Sequence, residues 1–447
     1  MLVPEIYRKY QGWVEAHEDS INTYANHLIV IFAFSVPTLV SVRRVSIALI
    51  IILFLIRGQV IRRMITVMRD PLVASFAIYF FVHVVWLFGS DEVASARKVV
   101  HDASFLLFVP LFASFLDKKY ITRVAAAFVL GMVFSAVISY GMFFGMPPSW
   151  LHNGTMGTAS NPTPLWHHVH YGYMLATVSA LILYELLGSK IRGLRMLLGA
   201  AVFLLLSVNV FIIEARTGYV LYFILVIMAV VSSFKYKVLK PLLVLFVLVP
   251  LLFSVIYGSV DVFKKRVDMT VKSSESLVSD KNYNTSIGAR VGMFVYAMDV
   301  ISENFLFGNG TGDHVSEVKK HIEDVGVGET GLMMSLDHTH NEYTSSLLQF
   351  GVLGFLAFLN IPFQMLRYSS GKNGTVLKII GISILFYSLS DVFVIGLGMI
   401  LTVVTLSSLA LSEYHVKNAD YSKMDVRALL IYSLLVVVFY VVQSVLP

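Results

Sequence analysis

The sequence predicts an all-α polytopic membrane protein, with about 12 transmembrane helices and one large helical outer loop. Three observations carry that reading. Of 447 residues, 57% are hydrophobic and only 14% charged, whereas a soluble domain carries about 25% charged residues. Runs of roughly 18 or more apolar residues recur along the chain, each long enough to cross about 30 Å of hydrocarbon. Those runs are continuous and do not alternate with polar residues, which excludes a membrane barrel.

Taken in order, candidate spans cover approximately 23–42, 45–57, 71–89, 98–116, 121–145, 168–188, 195–213, 216–234 and 240–258. A long polar segment follows. Beyond it come 342–366, then 376–412, which is long enough for two spans, and 428–445. The chain therefore divides into N-terminal transmembrane helices (1–258), a large loop (259–341) and C-terminal transmembrane helices (342–447). Arg57, Arg62, Arg63, Arg69, Lys118, Lys119, Arg123, Arg367, Lys372 and Lys378 fall on one side, which the positive-inside rule makes the inner one. The 259–341 loop is then outside. Short basic loops also account for the net charge of +6, so no nucleic-acid partner is implied. The absence of cysteine excludes disulfides, thiolate metal sites and cysteine nucleophiles.

A loop of this size exceeds ordinary connections and should hold structure of its own. Val291, Phe294, Val295 and Met298 share one helical face, and 314–325 reads as a second, more polar helix. The expected arrangement is an amphipathic cap over the membrane core. Between the helices lies Gly308-Asn309-Gly310-Thr311-Gly312. With no preceding strand and no following Lys-Ser/Thr it reads as a tight turn, not a nucleotide loop.

Several polar groups lie on the outer side against the topological bias: Arg43, Arg44, Arg97, Lys98, His101, His152, His167, His168, His170, Glu214 and Arg216. An anionic headgroup is the natural ligand for such a set, although Arg43 and Arg44 could equally snorkel to lipid phosphates. Arg216 follows a long apolar run, where a charge costs about 2.5–3.5 kcal/mol on insertion scales. It pairs with Glu214, or its planar fork grips phosphate oxygens. Arg290 opens the first loop helix. Asp337-His338-Thr339-His340-Asn341-Glu342-Tyr343 closes the loop at the start of the next apolar run. One histidine there suits a general base. The i, i+2 spacing argues against a metal pair on one helix face, so no metal or cofactor is expected. Asn341 caps the following helix or contacts substrate. His168 lines an acceptor route or sits at the interface. Asp391, after Ser388 and Ser390, is a buried partner for an arginine or the turn between two spans.

Glu214-Ala215-Arg216-Thr217-Gly218, Arg290, Asn304 to Gly312, and His340-Asn341-Glu342-Tyr343 followed by Leu347-Leu348-x-x-Gly351-x-x-Gly354 resemble, in this order, the O-antigen ligase/polymerase family of bacterial envelope glycosyltransferases. The resemblance covers roughly 205–360. It implies a multi-pass inner-membrane enzyme with its large loop and active site on the periplasmic face. The implied donor is a polysaccharide on undecaprenyl pyrophosphate, and the implied acceptor for a ligase is lipid A–core, both presented among membrane lipids. Arg216 and Arg290 then clamp pyrophosphate, His340 is the base, and His338, Asn341, Arg97, His168 and Asp391 contact substrate. A monomer suffices. A polymerase or protein glycosyltransferase of the same family, or a lipid-linked sugar transporter, are the competing readings.

Overall fold

Why the chain breaks where it does is visible at most helix ends of the computed structural model, which describes residues 2–148, 157–188, 192–234, 239–326, 331–368 and 372–415. Helix α1 (Leu2–Ser35) stops just before Pro37, whose ring disfavours helix in the residue ahead of it, and α2 (Val40–Arg57) follows. The predicted span 23–42 is thus cut by a bend. A left-handed Gln59 then turns the chain by 109° into α3 (Val60–Val67). Helix α4 (Pro71–Val85) begins where Asp70 accepts hydrogen bonds from Leu72 N (2.8 Å) and Val73 N (3.2 Å). Proline occupies its first position, where no donor is needed.

The predicted span 98–116 is not one helix. It is divided into α5 (Val93–Ala103), a 3-10 turn and α6 (Phe108–Ala113). Arg97, Lys98, His101 and Asp102 give α5 a polar surface that keeps it from continuing as a span. Uninterrupted apolar helices follow: α7 (Ile121–Phe143), α8 (His168–Gly188), α9 (Leu194–Ile212) and α10 (Arg216–Ser233). Helix α11 (Leu239–Ser259) bends by 105° into α12 (Asp261–Asp280). The loop continues with α13 (Ser286–Glu303), α14 (His314–Val325) and the short α15 (Gly331–Met334), before α16 (Glu342–Arg367), α17 (Lys372–Tyr387) and α18 (Leu397–His415).

Among the described residues six helices are long and apolar enough to cross a membrane, or up to eight if each bent pair is one span. Two further apolar helices lie in α17 and α18. The predicted span 428–445 and His152 lie outside the described residues. The fold is an all-α polytopic membrane protein, and several predicted spans are bent or divided among the described residues. Its main core unites α1, α2, α4, α6 to α10 and α16 to α18.

Helix α13 carries its expected apolar face outward. The face bearing Val291, Phe294, Val295 and Met298 is exposed, while Ala289, Met293, Ala297, Val300 and Ile301 are buried. They pack with Val318, Ile322, Met333 and Leu348 in a second, smaller core. The helix is apolar on both sides, and the side that carries Gly288, Ala289, Gly292 and Ala297 is the one buried.

Helix α16 also departs from the expected straight span. Gly351 within it has φ +62° and ψ −158°, a conformation open to glycine. The rings of Tyr343 and Phe358 are 5.6 Å apart, although fifteen residues of straight helix would separate them by about 22 Å. The arm Glu342–Phe350 therefore folds back on the rest. The backbone groups released at this break find partners in the loop after α13. Asn309 N donates to Leu348 O (2.8 Å), Gly310 N to Gln349 O (3.0 Å) and Val352 N to Phe305 O (3.0 Å). Buried backbone needs such pairing.

Candidate active site

The folded arm of α16 moves its N-terminus away from the surface end of a span and into the protein. Glu342, the first residue of the arm, is 1% exposed. One carboxylate oxygen accepts from Tyr79 of α4 and from Ser346 (2.9 Å), and the other from Phe393 N (2.7 Å). Glu342 N donates to Ser388 O (2.9 Å), and Tyr343 OH to Leu385 O (2.8 Å). These bonds tie three elements together: α4, the folded arm, and the non-helical stretch between α17 and α18. The loop before the arm is thereby laid against Asp391.

Asp391 lies in that stretch, so the turn reading holds, but its partners are histidines and not an arginine. Its Oδ1 accepts from His338 Nε2 at 3.2 Å and lies 3.5 Å from His340 Nδ1. The other ring nitrogen of His338 donates to Asp337 Oδ1 at 2.7 Å. A ring that donates from both nitrogens is an imidazolium. Burial alone lowers the pKa of both rings. At His338 the two carboxylates outweigh it, and the pKa lies above 6.5. At His340 the charges of His338 and Arg290 add to burial and outweigh Asp391, so the pKa lies below 6.5. The rings sit 3.9 Å apart, one set up as cation and the other as neutral base.

His340 is also left-handed, with φ +51°, an uncommon state for a non-glycine residue that clusters at functional sites. Asn341 caps the arm, accepting from Thr344 N (3.0 Å) and donating to Leu389 O (3.3 Å). Both ends of its amide are occupied.

A second histidine cluster joins the first through tyrosine. Tyr387 OH donates to Asp391 Oδ2 (3.3 Å) and therefore accepts from His170 Nδ1 (3.0 Å). His167 and His168 stand beside His170 at the start of α8, 4.0 Å from one another. The close passage of α8 over α10 depends on Gly172 and Gly218, since a Cβ at Gly218 would stand 3.0 Å from Gly172 Cα. That contact brings Arg216, the first residue of α10, to the same place. Ser390 Oγ bonds Thr217 Oγ1 (3.0 Å), fastening this corner to the Asp391 stretch.

Arg216 does not pair with Glu214. Glu214 is taken by Arg266 of α12. Among the described residues neither Arg216 nor Arg290 has a carboxylate partner, and Arg216 Nε is buried without an acceptor. The charge of Arg290 reaches Arg216, His340, His167 and His168. The site therefore gathers uncompensated positive charge beside a neutral imidazole, which is what a diphosphate and an attacking hydroxyl require. Arg97 lies on α5 with Nε buried and unpartnered. Arg43 does not snorkel: its guanidinium lies 4.6 Å from the Trp166 ring centroid and donates to Val36 O.

Glu342, Tyr387 and Arg266 are not singled out by sequence reasoning. A glutamate opening an apolar run was the available signal for the first. The Gly308–Gly312 run is a turn as expected, clipped to the end of α4 by Thr311 Oγ1 to His83 O (2.8 Å) and by Asp313, which accepts from Asp91 N and Glu92 N.

His338, His340 and Asp391 hold their ligand atoms within 4.8 Å of one another, close enough for one divalent cation. Such an ion would need a lone pair from His338, whose two nitrogens are both engaged as donors to carboxylates. Asp391→Asn is expected to lower kcat about tenfold or more with little change in KM. It should also lower the pKa of His338, because the ring loses one of the two carboxylate charges that raise it.

Residues 200–359 match the family described as O-antigen ligase. A stretch of 105 residues, 24% of this chain, is 29% identical to an uncharacterized protein of Haemophilus influenzae. It covers 26% of that protein, so the match spans about a quarter of the relative's length.

Proposed function

From the match of residues 200–359 to the family described as O-antigen ligase, we propose that the chain ligates a lipid-linked polysaccharide to lipid A–core. The donor is the glycan on undecaprenyl pyrophosphate and the reaction takes place on the periplasmic side of the inner membrane. The observation that carries the reading is the pair of arginines, Arg216 and Arg290, that lack carboxylate partners among the described residues, near a histidine set up as a base.

An acceptor hydroxyl attacks the anomeric carbon while the bond from that carbon to the pyrophosphate oxygen breaks. His340 has Nδ1 turned to Asp391, which leaves Nε2 to take the hydroxyl proton. Arg216 and Arg290 neutralise charge building on the departing pyrophosphate, the electrostatic contribution that is usually largest. Direct displacement inverts the anomeric centre. His338, held as a cation, keeps Asp391 from acting as a competing base. Asn341 holds the arm through its cap, and His168 and Arg97 remain on the acceptor side.

The test is ligation by purified protein in nanodiscs, supplied with undecaprenyl-pyrophosphate-linked O antigen and lipid A–core. Higher-mass lipopolysaccharide supports the ligase; longer lipid-linked glycan without lipid A would make it a polymerase. EDTA is expected to leave the rate unchanged. The rate should rise through an acid limb below pH 6.5 as His340 loses its proton, and fall through an alkaline limb above pH 6.5 as His338 loses its own. A transport reading expects broken helices around a midplane site, but the break at Gly351 is filled by loop backbone.

A further inference from the structure

Phe305-Leu306-Phe307 are three consecutive large apolar residues in a loop that the sequence places in water. They are 50%, 58% and 64% exposed. Their backbone is stitched into the Gly351 break of α16 by Val352 N to Phe305 O (3.0 Å). A Cβ on Gly351 would stand 2.3 Å from Leu306 C and O, so nothing separates the two chains.

Two independent counts give the height of this segment. From Gly351 to Arg367, sixteen residues of helix rise about 24 Å. From Pro71 at the start of α4 to Phe88, seventeen residues rise about 26 Å, and Phe88, 58% exposed, borders the same place. Val85, Trp86 and Gly89 line one wall of an open groove there, and Asn304 and Phe307 to Gly310 line the other. Trp86 Nε1 donates to Phe307 O. Both heights fall short of the roughly 30 Å thickness of the hydrocarbon core.

The apolar surface is also continuous with faces that must meet lipid. Ile78 and Val85 are exposed on α4, Phe88 on the 3-10 turn that follows it, and Leu353, Leu356 and Phe363 on α16. The outward face of α13, with Val291, Phe294, Val295 and Met298, extends it on the loop side. No Lys, Arg, Asp or Glu occurs from Asn304 to Gly312. Exposed backbone is not tolerated in hydrocarbon, and here Phe305 O, Phe307 O, Asn309 N and Gly310 N are paired with Val352, Trp86, Leu348 and Gln349.

We propose that Phe305–Phe307 is a wedge buried among the acyl chains of the bilayer, in the leaflet on the side of the large loop. It makes part of that loop a membrane-inserted element whose occupant is ordinary phospholipid. The inference stands apart from the proposed activity and survives its failure.

The chain has no cysteine, so single spin labels can be placed without background. Phe305→Cys and Leu306→Cys are labelled in protein reconstituted into phosphatidylethanolamine/phosphatidylglycerol vesicles free of glycolipid. Ile78→Cys on α4 serves as the lipid reference and Val278→Cys on α12, 85% exposed, as the aqueous one. Collision with oxygen is compared with collision with a water-soluble nickel chelate. An oxygen-to-nickel ratio equal to that of Ile78→Cys, and several-fold above that of Val278→Cys, is expected at both wedge positions. A ratio equal to the aqueous reference overturns the proposal. So does protection from both quenchers, which would mean another protein segment covers the wedge, or a lipid-like ratio seen only after glycolipid is added.

Discussion

Replacing His340 with alanine is expected to lower kcat for polysaccharide transfer by about 10²–10⁴-fold, with KM for the lipid-linked donor little altered. The asymmetry follows from the two imidazoles. His338 has both nitrogens against carboxylates, which favours its protonated form. His340 sits 3.5 Å from Asp391 through one nitrogen and keeps the other free. Its pKa is pushed below 6.5 by burial and by the neighbouring charges of His338 and Arg290, so nearly all molecules carry the base form at pH 7.5. His338→Ala is expected to act differently, weakening the arrangement around Asp391 and removing the alkaline limb. Rates for both variants across pH 5–9, with the donor saturating, separate the roles. Equal losses with unchanged profiles would mean the histidines serve structure alone.

Gly351→Val should be the most damaging single change outside the reacting groups. A side chain there meets Leu306 C and O at 2.3 Å and Phe307 N at 2.5 Å, backbone atoms that cannot swing aside. The residue must also hold φ +62°, which is strained for a β-branched side chain by about 1–3 kcal/mol. The three backbone bonds between the α13 loop and the arm would be lost together, leaving buried polar groups unpaired. A destabilisation of at least about 3 kcal/mol is expected, read as a lower Tm in detergent and a reduced monodisperse fraction. Gly351→Ala should shift Tm in the same direction by less. An unchanged Tm for Gly351→Val would show that the loop does not seal the break.

The parts legible in the sequence are those decided by neighbours along the chain. The run 168–188 coincides with α8 and 314–325 with α14, because each is bounded by a change of polarity. Asp70-Pro71 marks the start of α4 for the same local reason. The fold-back of α16 is not legible: Leu347 to Gly354 reads as continuing helix, and glycines within a span are ordinary. Only the loop backbone packed against Gly351 turns it into a hinge. The outcome at α13 is similar. Val291, Phe294, Val295 and Met298 define a convincing face by periodicity, yet the opposite face is buried, since packing against α14 and α16 decides the matter. Arg216, Arg290, His338 and His340 could be chosen as polar groups out of place. That Glu214 belongs to Arg266, and Asp391 to two histidines, depends on contacts 52 and 53 residues away.

The hydrogen-bonded line from His170 through Tyr387 to Asp391 has a consequence for how such proteins can be recombined. The family domain ends at residue 359 and contains the arginines and the imidazoles, but none of these three residues. A chimera that grafts residues 200–359 onto foreign flanks would inherit His340 without the Asp391 carboxylate that lies 3.5 Å from its ring. Functional exchange between relatives must therefore carry the start of α8 and the stretch between α17 and α18 along with the domain.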